Sequence, residues 1–260
     1  MAWKDVFGYM RGIAASRGVG AVVRPDEGAP LGARIGSLVQ VQRSPVIRAQ
    51  AMGSLIAMPG DGDIRVLALS QLRLEPDTEL YRLYLATGDT DDHEVFLQVF
   101  GAPDGSVQEL LFCTQLARII PETEDDQRAY TGAAGYGLGD ATYTLWRQQL
   151  ADTLDAATLQ TVFGDGDSIE YARDAGAAGA AFYPPFRGSE TRIDDAAGKE
   201  GLRQELYFMP YVRQLEGGAR EYLLITTEIV ESVDGDSSKR GIHVDFVVGI
   251  PIEQERVVVQ

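Results

Sequence analysis

From residue 37 to residue 113 the chain repeats one pattern: a short apolar run, then a turn built from Gly, Asp and Pro. The runs cover residues 37–42, 54–58, 64–69, 80–86, 95–100 and 107–113, and the turn clusters lie at 59–63, 88–92 and 102–105. None of these runs is long enough for a stable helix of several turns. Regular spacing with Asp-Gly turns predicts antiparallel strands joined in an all-β sheet or barrel-like unit. Phe96, Leu97, Gln98, Val99 and Phe100 alternate large and shorter side chains, as a half-buried strand does. Glycine supports this reading, since 29 of 260 residues are Gly and long helices tolerate it poorly.

The pattern returns after residue 140. Residues 143–146 read as a strand and 154–163 as a short helix. Residues 202–212 read as a strand in which Pro210 favours an edge or a bulge. The strongest strand is 221–230, rich in Ile, Leu, Val and Thr, and 241–250 follows as a buried partner. On an exposed edge, the 221–230 strand would make self-assembly credible. Residues 174–200 carry an Ala/Gly run and Pro184-Pro185 with no apolar period, so they read as a flexible insertion. An acidic and then Gly-rich stretch, 121–142, suggests a boundary. The expected organisation is an amphipathic helix over 1–20, a linker over 21–33, and two antiparallel sheet-rich subdomains over 34–130 and 131–260. The class is mainly β, or α+β with few helices.

Charge separates the head from the body. The whole chain has a net charge of −16, yet residues 1–50 carry seven Lys/Arg against three Asp/Glu. An acidic body argues against a nucleic-acid partner. In the head, Trp3, Phe7 and Met10 recur at helical spacing, with Lys4 and Arg11 towards another face. These five residues are the candidate contact for a partner or an anionic membrane surface. The 1–18 segment has no apolar core followed by a small-residue cleavage site, which argues against a secretory signal. With one cysteine, Cys113, the expectation is a cytoplasmic protein, peripheral at the inner membrane if the head engages lipid.

Common catalytic motifs are missing. His93 and His243 are the only histidines, and no helical His pair exists for zinc. Ser37, Ser54, Ser106 and Ser189 follow glycines, but none stands in a Gly-x-Ser-x-Gly elbow. No phosphate-binding loop is present, and Gly135, Gly137 and Gly139 have Asp140 where a dinucleotide loop needs its next glycine. Asp234, Asp236, Ser238 and Asp245 match part of a calcium loop, but Lys239 occupies its sharp-turn position. The expectation is therefore no metal and no cofactor. Carboxylates are abundant and none stands out as an acid/base pair.

Three stretches resemble the YjfK-like family, bacterial proteins of unknown function. They are the segment from Pro30 to Gly36, the tyrosine-rich 80–100 region with its acidic turn and Phe96-Leu97-Gln98-Val99, and the 221–228 segment before the closing strand. The likeness runs over about residues 30–255 and is carried by order and spacing. It implies no catalytic residues. It does imply an accessory role, because members resemble components of gene clusters encoding phage-shock-type membrane-remodelling proteins and small membrane proteins. Two functions follow as expectations. The first is a non-enzymatic cytoplasmic adaptor or accessory protein with a protein partner, a membrane-associated one if the head engages lipid. The second is a small-ligand binder or enzyme using Asp/Glu and Arg in a cleft between the subdomains.

Overall fold

A computed structural model describes residues 25–76, 78–87, 93–101, 106–230 and 241–260. The expected N-terminal helix, with Trp3, Lys4, Phe7, Met10 and Arg11, lies outside the described residues, as do Asp234, Asp236, Ser238 and Lys239.

Twelve strands appear among the described residues: β1 (Leu38–Val41), β2 (Ile64–Leu74), β3 (Thr78–Leu85), β4 (Val95–Gly101), β5 (Val107–Ile119), β6 (Thr142–Trp146), β7 (Ser168–Arg173), β8 (Phe186–Ile193), β9 (Gly201–Gln214), β10 (Arg220–Val230), β11 (Gly241–Pro251) and β12 (Val257–Val259). Eight of them close into an antiparallel barrel in the order β2-β3-β4-β5-β11-β10-β9-β8, with β8 pairing back onto β2. The barrel thus takes strands from both sides of the expected 130/131 boundary, through the β5–β11 and β2–β8 ladders.

Closure depends on Gly188. It pairs with Leu74 across the β2–β8 seam, and a Cβ there would lie 2.2 Å from the Arg73 carbonyl oxygen. Only glycine lets the two backbones approach so closely. The stretch expected to be a flexible insertion therefore contains a barrel strand, β8. It shows no apolar period because its inward positions include Gly188, Glu190 and Arg192. The β10 strand, considered above for edge-to-edge assembly, lies between β9 and β11 with both edges paired. Pro210 sits where the neighbour of β9 changes from β8 to β7, so its missing N–H interrupts no ladder there.

Two flaps extend from the barrel. At one side, β1 pairs with the start of β2 and with β12. At the other, β7 pairs with β9 and carries β6. Three short helices complete the layer: α1 (Ser44–Ala51), α2 (Glu124–Tyr130) and α3 (Ala156–Phe163). Pro45 opens α1 where a missing N–H costs nothing, and Val46 and Ala49 face the core. The Thr123 and Asp155 side chains accept first-turn N–H groups of α2 and α3. Residues 54–58 are not a strand. Leu55 and Ile56 are buried in an irregular segment, whose N–H groups go to side chains: Leu55 to Glu221 and Ala57 to Thr114.

The core has two parts. Outward residues of the barrel, such as Leu83, Leu97, Phe112 and Ile225, are buried beneath the outer layer. Inward residues fill the lumen, and one end of it is apolar: Leu72, Leu80, Phe100, Leu111, Leu206 and Leu224 are buried there. The other end is polar, and it holds the candidate site. No described helix is long and apolar enough to cross a membrane.

Candidate functional site at the polar end of the barrel

Strand alternation decides which side chains enter the lumen. On β3 the inward positions continue from Leu80 to Arg82 and Tyr84. Their register partners are Ser70 and Ala68 on β2, and Gln98 and Phe96 on β4. On β10 the inward series runs Leu224, Thr226, Glu228, facing Asp245 and His243 on β11. Gln204 on β9 faces Glu190 on β8. Apolar strands therefore change to polar ones on the same face and at the same end.

Arg82 is the centre of this region and is buried. Its guanidinium crosses the lumen, donating from Nε to Gln98 Oε1 at 3.2 Å and from Nη2 to Thr226 Oγ1 at 3.2 Å. Its Nη1 lies 3.9 Å from Glu190 Oε2, and its carbon lies 5.0 Å from the centre of the Phe96 ring. Burial opposes the charge on Arg82, but Tyr84, Glu190 and Glu228 outweigh burial and hold its pKa above the ordinary arginine value. Glu190 accepts from Tyr84 Oη at 3.2 Å and from Gln204 Nε2 at 2.8 Å.

Nearer the solvent, Arg118 makes a two-pronged ion pair with Asp245, both bonds 2.6 Å, and its Nη2 lies 3.6 Å from Glu228. Gln115 Nε2 donates to the same Asp245 at 2.9 Å. Arg192 lies over the Tyr84 ring, 4.2 Å from its centre, and pairs with Glu94 at 2.6 Å and Asp194 at 2.8 Å. Glu228 is buried among these groups. Burial first, then the Asp245 and Glu190 carboxylates, push its pKa up to about 8. A desolvated carboxylic acid of this kind holds its proton at neutral pH.

The network is not closed on itself. Among the described residues, Ser70 Oγ, Gln98 Nε2, Gln204 Oε1 and His243 Nδ1 are buried without a hydrogen-bond partner. Such atoms normally meet water or a ligand. No three His, Cys, Asp or Glu side chains among the described residues are placed to hold a metal ion. The arrangement can bind through charge and hydrogen bonds, and Glu228 can carry a proton.

The sequence left these residues unnamed. Arg82, Gln98 and Glu228 each sit at the parity of large apolar neighbours, and a charged or amide residue at an inward strand position is the signal that was present. His93 lies half-exposed before β4. Cys113 is buried in the lumen wall, and burial pushes its thiol up to about 12, so it is inert packing. Asp140, beside the glycine cluster, accepts from the Gly137 N–H at 2.9 Å and closes a turn.

A second buried carboxylate, Glu221, is a structural clamp outside the barrel. It accepts from Ser54 Oγ, from Leu55 N at 2.7 Å, from Tyr171 Oη at 2.7 Å and from Arg213 Nε at 2.8 Å. It ties the 53–56 segment and β7 to the barrel wall.

Compared with protein-family models, with curated proteins and with solved structures, the chain matches none.

Proposed function

We propose that this protein is a small-ligand-binding barrel that takes a polar ligand at its charged end. Convergence supports the reading. Three guanidiniums, five carboxylates and several unpartnered polar atoms meet at one end of a lumen that is otherwise apolar. An eight-stranded barrel has room for side chains or one small ligand, and its strands hold a site more rigidly than loops do. This reading takes up the second expectation from the sequence, a ligand site using Asp/Glu and Arg, and moves it from a cleft between subdomains to the end of one barrel. The ligand reading is preferred to the adaptor reading because its residues share one place.

A thermal-shift screen of the full chain tests the proposal, using n-butylammonium, n-butyrate, glycine and glucose as probes. A probe at about 100 times its Kd adds about 2.7 kcal/mol, a rise in Tm of several degrees for a chain of this size. The expected result is such a rise with at least one probe, lost in the Arg118→Gln/Glu228→Gln double variant. No rise with any probe, or an undiminished rise in the double variant, would refute the reading.

A further inference from the structure

The strongest feature left over is the surplus of acceptors and negative charge at the polar end. Glu94, Glu190, Asp194, Glu228 and Asp245 stand against Arg82, Arg118 and Arg192, which is five carboxylates against three guanidiniums. The pairs already formed use the guanidiniums. Arg82 reaches Gln98, Thr226 and Glu190; Arg118 grips Asp245; Arg192 grips Glu94 and Asp194. Among the described residues Glu228 has Arg118 within ion-pair distance, at 3.6 Å, but Asp245 holds that guanidinium more closely, and Arg82 acts on Glu228 only from farther off.

Two buried polar atoms with no partner among the described residues lie at strand positions beside Glu228. His243 is its direct partner across the β10–β11 ladder, and the imidazole Nδ1 is buried without a partner. Gln204 pairs with Val230 on the next strand, one diagonal step from Glu228, and its Oε1 is also buried without a partner. Directly opposed side chains on one face have Cβ atoms about 5 Å apart, and diagonal ones about 7 Å, both within reach of one small group. An ammonium has three N–H donors and one positive charge, and it takes no acceptor role. Gln204 Oε1, the Glu228 carboxylate and, in the tautomer protonated at Nε2, His243 Nδ1 supply three acceptors and the charge that match it. A metal ion fits less well, since no three His, Cys, Asp or Glu among the described residues are placed to hold one. An anion would meet Glu228 and Glu190 first.

We propose that the ligand of this site is a small primary ammonium compound, whose nitrogen donates to Gln204 Oε1, His243 Nδ1 and the Glu228 carboxylate. The inference rests on the ligand-binding reading above and names its chemical class. A consequence follows for protons. Glu228 is faced by Asp245 and His243 from β11, Glu190 from β8, Arg82 from β3 and Arg118 from β5. In the empty site the carboxyl keeps its proton against this surplus of negative charge. When the ammonium arrives, the O–H bond breaks, the proton passes to solvent, and the carboxylate keeps the electron pair to accept the ammonium N–H. Net charge in the site rises by one from the ligand and falls by one from the proton lost.

The test is isothermal titration of the full chain with n-butylammonium between pH 6 and pH 9. Parallel titrations use tetramethylammonium, which has charge but no N–H donor, and n-butyrate, which has the opposite charge. A primary ammonium stays charged across this range, as lysine does. Expected is binding of n-butylammonium alone. Its affinity should rise about tenfold per pH unit up to about pH 8 and then level off, as release of one proton requires. Glu228→Gln should flatten this dependence, and Gln204→Leu should weaken binding at every pH while keeping the slope. Circular dichroism of both variants matching the parent shows that the barrel is intact. Equal binding of tetramethylammonium would refute recognition through N–H donors. Binding of n-butyrate alone would refute the ammonium claim and leave the ligand site standing. Binding with no pH dependence would refute the exchange at Glu228. Binding of none of the three, with no hit in the wider screen, would remove both proposals.

Discussion

Replacing Arg82 with Met removes the charge that joins four strands across the lumen. Met keeps the length and fills much of the same space, so the loss is mainly electrostatic. The Glu190 carboxylate would keep Tyr84 Oη and Gln204 Nε2 as donors but lose its buried cation. Gln98 Oε1 and Thr226 Oγ1 would each lose a donor. Breaking a buried pair by removing one partner costs about 3–5 kcal/mol. A cost of about 4 kcal/mol is a large share of the roughly 5–15 kcal/mol that stabilises a folded domain. With a urea slope of about 3 kcal/mol/M, it lowers the midpoint by about 1.3 M. The assay is urea unfolding of Arg82→Met, Glu190→Met and the double variant, followed by circular dichroism. Removing both charges leaves no unpaired ion, so the double variant should cost less than the two singles combined, by about 2 kcal/mol or more. A single-variant cost under about 1 kcal/mol, or additivity within about 0.5 kcal/mol, would show that Arg82 and Glu190 do not depend on each other.

Three more outcomes follow. Glu228 has a pKa raised from the ordinary glutamate value to about 8, so its stabilising contribution is complete below the unfolded value and is lost as pH rises towards 8. Urea midpoints measured from pH 5 to pH 9 should therefore fall for the parent relative to Glu228→Gln; parallel curves would refute the assignment. Gly188→Ala should destabilise by about 2–3 kcal/mol by forcing the β2–β8 seam apart, read as a lower Tm, since overpacking costs this much even where a neighbour can shift. Cys113, buried with its thiol raised to about 12, should resist a thiol-reactive dye in the native protein and react once it is unfolded in urea.

Much of the architecture was legible because a period of two and its Gly/Asp turns are local signals. The runs at 64–69, 95–100, 107–113, 202–212, 221–230 and 241–250 fall within barrel strands, and 80–86 passes the end of β3 by one residue. Closure was not legible. The strand that closes the ring, β8, carries Gly188, Glu190 and Arg192 inward, so it lacked the apolar alternation that reveals a strand. Short helices escaped for another reason: α1 and α2 have only a few turns and bury little, so periodicity had nothing to build on. The segment 54–58 misled because Leu55 and Ile56 are as buried as strand residues, while their backbone is served by Glu221 and Thr114 side chains from distant positions. The site itself depends on the same long-range pairing. Arg82 and Thr226 meet across 144 positions of sequence, and only a closed barrel brings them together.

The most direct test of the account is a two-dimensional amide NMR titration of the isotope-labelled full chain with n-butylammonium. The expected result is saturable shifts concentrated around Glu190, Gln204, Glu228 and His243, at the polar end of the barrel. Shifts confined to the outer groove lined by Arg73, Arg187 and Tyr207, or none at millimolar probe, would contradict it.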